Sequence, residues 1–214
     1  MDRRQEIASV GALASASLES KHEAREVTIA SARKAIQCCA ASIRATHRGE
    51  FDQAVSLAAD AFTHLARADV ATAAVPEVRA TGPLADAKKE YVEARLTLAF
   101  VRRDALPTPA DLGVEAAPYL NGMAEAASEL RREVLDCLRR GELERAERLM
   151  TVMDDVYSVL VTVDYPDGVT GGLRRATDAL RAVLERTRGD LTTTMIAARL
   201  QASIEAEREQ RAGA

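Results

Sequence analysis

The stretch AKKEYVEARLTLAF, residues 87–100, contains neither glycine nor proline, and Glu90 and Glu93 stand three residues apart within it. Read as a helix, that spacing puts both carboxylates on one face. The run is bounded by two breaker-rich segments, VPEVRATGP (75–83) and LPTPADLGVEAAP (106–118), so it predicts a helix over about 83–103.

The same alternation holds on both sides. The 11 glycines and 6 prolines of the 214 residues cluster between long runs that lack both. A first segment runs to about His47, with Ile29, Ile36 and Ile43 recurring every seven residues, and HRGEFD (47–52) stops it at Gly49. A second helix is expected over about 50–74, with Phe51, Ala54, Val55, Ala58, Phe62 and Leu65 along one side. LPTPADLGVEAAP is the longest irregular connection and the expected flexible element. A fourth helix covers about 115–140 and stops at Gly141. The fifth, 142–163, carries apolar residues around most of its circumference, which predicts a place at the core or in a subunit interface. After the loop DYPDGVTGG (164–172), the remainder reads as one helix, a break at Gly189–Asp190 and a last helix. The sequence therefore predicts a seven-helix, all-α single domain over 1–214, with residues 1–20 as an N-terminal extension and 207–214 as a tail, both expected to be less ordered.

Composition sets the limits. Hydrophobic residues make up 47% and aromatic residues 3%, with no tryptophan, so the core must be built from aliphatic side chains. A net charge of −4 excludes a globally basic nucleic-acid binder; a phosphate-bearing partner would have to meet a local basic patch or a metal ion. Cys38, Cys39 and Cys137 have no metal-ligand spacing, and the odd count suits a reducing compartment. No leader-like segment and no membrane-length apolar run is present, and a cytoplasmic location is expected.

Glu125 and Glu129 are a second carboxylate pair, four residues apart on the next long helix. Like charges at such spacings repel by about 0.2–0.5 kcal/mol on an exposed helix, and by more when buried. Two helices that each carry a carboxylate pair can build a divalent-metal site, and all-oxygen donors suit Mg²⁺ or Mn²⁺. The plainer alternative stays open. With 29% charged residues such pairs also arise by chance, and Glu129 could pair with Arg132 or Glu90 with Lys89.

Four stretches carry a wider resemblance: REVTIASARKAI with IRATHRGEFDQA (25–36 and 43–54), EYVEA (90–94), LGVEAAPYLNGMAEAASELRREVLDCLRRGELERA (112–146), and GLRRATDALRAVLERTRGDLT (172–192). Over about residues 22–194 the chain resembles the translin family, and REVTI and EYVEA are more similar to its factor X branch. That resemblance implies a metal-dependent endoribonuclease acting on single-stranded RNA. Its implied catalytic and metal-binding residues are Glu90 and Glu93, from an E-Y-V-E pattern, and Glu125 and Glu129, from an Asp and a Glu four apart. Glu125 departs from the family's usual Asp by one methylene. The implied cofactor is Mg²⁺ or Mn²⁺, with Glu129 or Glu90 as the acceptor of a water proton. The resemblance also implies a closed homo-oligomer, an octamer, and possible binding of DNA. A catalytically silent single-stranded DNA- or RNA-binding oligomer is the alternative, and a purely structural helical scaffold is a third reading.

Cations able to hold RNA are Arg44, Arg48, Lys88, Lys89, Arg95, Arg131 and Arg132. His47 reads as a helix-end packing residue. Tyr91 and Tyr119 read as core-edge packing residues, and Cys137 as buried.

Overall fold

The structure, a computed structural model, describes residues 2–79 and 82–212. Among these residues there is no strand. Six long helices carry the fold: α1 (Arg3–His47), α2 (Phe51–Thr72), α4 (Gly82–Arg102), α6 (Ala116–Arg140), α7 (Leu143–Leu160) and α9 (Leu173–Ala212). Three single turns, α3 (Pro76–Arg79), α5 (Pro109–Leu112) and α8 (Asp167–Thr170), lie in the connections.

The all-α expectation holds, but the helix count and one boundary need correction. There is no break at Gly189–Asp190. The buried residues of α9 are Leu173, Thr177, Leu180, Leu184, Thr187 and Leu191, a run of alternating four- and three-residue steps that crosses the glycine unbroken. A glycine inside a helix costs only about 1 kcal/mol relative to alanine, less than the packing on either side supplies. Arg131 of α6 reinforces the crossing, donating to Thr187 Oγ1 at 3.0 Å and to Asp190 Oδ2 at 2.8 Å.

α1 and α2 form a hairpin zipped by small residues. Ala32, Ala35, Cys39 and Ser42 on α1 are buried, as are Ala54, Ala58, Ala61 and Ala68 on α2. Ser42 Oγ donates to the Ala54 carbonyl at 2.8 Å. The buried face of α2 is thus narrower than its apolar pattern suggests; Val55 and Phe62 lie at its edge, each 47% exposed.

α4 is the most enclosed long helix, lying against α1, α2 and α6. The helix over 142–163 was expected in that role, but α7 ends at Leu160 and buries one face, through Ala146, Leu149, Met150, Met153, Val156 and Leu160. α4 is hard to recognise as central because its buried set includes Lys88, Glu93 and Thr97.

The connection 103–115 is structured rather than loose. Thr108 and Asp111 form a reciprocal capping box on α5, and Tyr119 donates to the Pro107 carbonyl at 2.8 Å. Residues 3–20 are helical and exposed at the start of α1, and α9 continues to Ala212. Among the described residues no helix is long and apolar enough to cross a membrane.

Candidate metal centre and its surroundings

Gly122 sets the distance between α4 and α6. A Cβ at this position would lie 2.6 Å from the Lys89 carbonyl oxygen and 2.7 Å from Val92 Cβ, so only glycine allows the two backbones to come this close. One turn further along α6 is Glu125, opposite Glu90 and Glu93 of α4. One carboxylate oxygen from each of Glu90, Glu93 and Glu125 lies within 4.8 Å of the others.

The three carboxyl groups have unequal surroundings. Glu93 is buried, at 8% exposure, whereas Glu90 and Glu125 are half-buried. Burial, followed by the charges of Glu90, Glu125 and Glu129, pushes the Glu93 carboxyl up to about 8. Burial and the charge of Glu125 also raise Glu90. The thiol of Cys39, on α1, is held above its ordinary range by burial and then by Glu90, which places this side of α1 against the cluster.

Two cationic or polar side chains complete the surroundings. Lys89 Nζ donates to Glu125 Oε1 at 2.7 Å. Burial opposes the Lys89 charge, but the bond to Glu125 and the charges of Glu125, Glu90 and Asp86 outweigh it, and its pKa is raised. Glu129 stands outside the group of three. Its Oε2 lies 2.8 Å from Nε2 of His47, whose side chain is only 1% exposed. His47 Nδ1 is buried with no hydrogen-bond partner.

An all-oxygen donor set at this spacing fits a hard divalent cation, which would take the place of the proton that burial and then the neighbouring carboxylates hold on Glu93 at neutral pH. Glu90, Glu93 and Glu125 would hold it, with Glu129 on its histidine outside them.

The expected RNA-contacting cations divide into accessible and committed groups. Lys88 must be removed from the accessible set: its side chain is 3% exposed and pinned between Asp69 at 3.2 Å and Glu115 at 3.1 Å. Lys89 is bound to the acid cluster. Arg95 donates to Tyr91 Oη at 3.0 Å and lies over its ring. Arg131 is held by α9. Arg48 is exposed but pairs with Glu50, and Arg44 and Arg132 are exposed. Arg132 lines a surface depression with Glu129 and Arg139, so Arg139 joins the cations beside the site. His47 and Arg139 are the residues missed in the sequence. No local pattern marks His47, because its partner is 82 residues away.

No family model matches the chain. An uncharacterized protein of Methanocaldococcus jannaschii is 31% identical over 178 residues, covering 82% of this chain and 78% of that protein. Among solved structures, AfC3PO in complex with duplex RNA is similar with a TM-score of 0.79 and 30% identity, covering 86% of this chain and 95% of that one. AfC3PO alone gives 0.78 at 30% identity, with 86% and 96% covered. Apo-NeC3PO shares the fold at a TM-score of 0.75 and 15% identity, with 91% and 98% covered.

Proposed function

The chain belongs to the translin family, and from that membership we propose that it is an RNA-binding, metal-dependent endoribonuclease with its site at Glu90, Glu93, Glu125 and Glu129. The observation that carries the reading is the convergence of Glu90, Glu93 and Glu125 within 4.8 Å around a buried carboxyl group. Ordinary surface acids separate; these are forced together by the close approach at Gly122. A Mg²⁺ or Mn²⁺ ion bound there supplies Lewis-acid activation and neutralises charge that develops on a phosphodiester. Glu129, held by His47 beside the group of three, is our choice for the carboxylate that accepts a proton from the attacking water. Arg132, and Arg139 with its partner Asp136, supply exposed positive charge beside it, and Arg44 is exposed three residues before His47 on α1.

The test is incubation of the purified chain with labelled single-stranded and duplex RNA, in Mg²⁺, in Mn²⁺ and in EDTA. Cleavage that needs the metal and is lost in Glu93→Gln is the expected result. The duplex arm is included because a similar structure is a duplex RNA complex. RNA binding without cleavage in every condition would instead support the silent-binder reading, which one observation favours: Lys89 already engages Glu125.

We also infer a closed homo-oligomer, with the octamer as the expected count. Ile7, Val10 and Leu18 at the free end of α1, and Ile196, Leu200 and Ile204 on α9, are exposed apolar residues in helical register that one chain leaves uncovered. A stable monomer in light scattering at micromolar concentration would remove this part.

A further inference from the structure

The C-terminal end of α4 carries a second feature that the acid cluster does not use. A cavity of about 730 Å³ lies between α2, α4 and α7. That volume is within the roughly 300–1,000 Å³ of small-molecule sites. Phe51, Phe100, Leu149 and Val152 form an apolar floor, and Arg102, Arg103, Arg145 and Arg148 surround it. Four arginines around one cavity run against the chain's net charge of −4. Along α4 the cavity stands about ten residues, or roughly 15 Å, from Glu93, so one small ligand could not span both.

The arginines are not equivalent. Arg102 pairs with Asp104 at 2.9 Å and lies over the Phe51 ring, 5.8 Å from its centroid. Arg145 is anchored on Glu133 at 2.7 Å. These two are wall. Arg148 has only a 3.8 Å contact to the exposed Glu144. Arg103 has no side-chain hydrogen bond or ion pair among the described residues, and it has a left-handed φ of 64°. It follows the last residue of α4, where the Asp104 amide closes back on the Ala99 carbonyl at 3.0 Å. Glycine is the usual residue at that turn, and here it occupies the corresponding position after α6, at Gly141. At the end of α4 the chain instead carries an arginine in a disfavoured backbone conformation, on the lining of the cavity.

We propose that this cavity binds a nucleoside phosphate, with Arg103 and Arg148 on the phosphate and the apolar floor under the base. The guanidinium of Arg103, together with that of Arg148, whose 3.8 Å contact to the exposed Glu144 is easily given up, matches a phosphomonoester, which takes bidentate donors. The apolar floor fits an aromatic base rather than a bare ion, and the carboxylate of Asp52, also on the lining, accepts from a base or ribose donor. The nucleotide is either free or the phosphorylated end of a strand.

The proposal does not depend on the acid cluster being catalytic, and it is tested with metal removed. Isothermal titration calorimetry of the full chain in EDTA compares AMP, adenosine and inorganic phosphate. AMP is expected to saturate the protein and to bind more tightly than either fragment. Arg103→Gly is the decisive variant, because it removes the guanidinium and relaxes the backbone together. It should melt higher than the wild type and bind AMP at least about tenfold more weakly, the loss of one charge-assisted contact. Arg148→Ala should weaken AMP as well. A 5′-phosphorylated oligonucleotide that displaces AMP, when its 5′-hydroxyl form does not, identifies the ligand as a strand end; failure of both to displace it identifies a free nucleotide. No saturation by AMP at millimolar concentration, or unchanged binding in Arg103→Gly, overturns the proposal.

Discussion

His47, the last residue of α1, places its Nε2 2.8 Å from Glu129 Oε2 on α6, joining the end of one helix to a carboxylate on another. The imidazole is buried and the carboxylate is not, so the contact constrains Glu129 from the protein side through Oε2 alone. A residue that looks like a helix end in sequence is therefore a positioning group in the fold.

His47→Ala should leave the helical fold in place and lower the RNA cleavage rate on the order of tenfold, within the range seen when a partner that orients a metal-site carboxylate is removed. His47→Gln, which keeps a donor near the same place, should recover part of the loss. Initial rates at saturating Mn²⁺, with circular dichroism as the folding control, decide it. An unchanged rate in the alanine variant would remove His47 from the site.

Without metal, stability should fall as pH rises from about 4.5 to about 8. The folded Glu93 carboxyl is raised to about 8 from an ordinary value of 4.5, so in that window the folded state holds a proton that the unfolded state has lost. One such proton gives a slope of at most about 1.4 kcal/mol per pH unit, flattening above the folded value. Urea denaturation in EDTA across this range measures it, and Glu93→Gln should flatten the curve. Saturating Mn²⁺ should stabilise most at the alkaline end, where the carboxylate is free to bind it.

Lys89→Met removes the cation that, among the described residues, is bonded directly to the acid cluster. The metal-free protein should lose thermal stability, because Glu90, Glu93 and Glu125 are then left uncompensated. The rise in melting temperature produced by Mn²⁺ should increase, since the ion no longer competes with an ammonium for Glu125. Differential scanning calorimetry with and without Mn²⁺ reads both. A smaller metal effect in the variant would mean that Lys89 supports the site rather than occupying it.

Gly122→Ala introduces a Cβ 2.6 Å from a backbone oxygen that cannot rotate away. Overpacking of this kind costs about 1–3 kcal/mol. Separating α4 from α6 should weaken Mn²⁺ binding together with stability. Adding Val92→Ala should return only part of either, because the Lys89 carbonyl remains. Full recovery by the second change would place the constraint in the Val92 side chain instead.

Much of this arrangement is legible in sequence, and the reasons are local. The acid pairs can be read because three- and four-residue spacings fix a helix face before any tertiary contact is known, and the resemblance then links the two faces. The ends of α1 and α6 can be read because Gly49 and Gly141 supply left-handed stops. The misreadings come where tertiary contacts override a local signal. Gly189 looks like a break but lies on the solvent side of a buried stripe that continues past it. Lys88 looks like a surface cation, yet its two acidic partners belong to α2 and to the residue before α6. Residues 142–163 spread their apolar side chains around most of a helix, yet α4 is the enclosed helix, because its buried lysine and glutamate are compensated by neighbours that only the fold supplies.

Lys88 has a further consequence for how the chain keeps time along its own length. Its ammonium is held by Asp69 on one side and Glu115 on the other, two residues before Glu90. Sliding α4 by a single residue is a movement of only about 1.5 Å along its axis, yet it would break both pairs and strand a buried charge, a penalty of about 3–5 kcal/mol. Lys88 therefore acts as a vernier mark. It allows one axial alignment of α4 between α2 and the start of α6, and that alignment is the one in which Glu90 and Glu93 come level with Glu125.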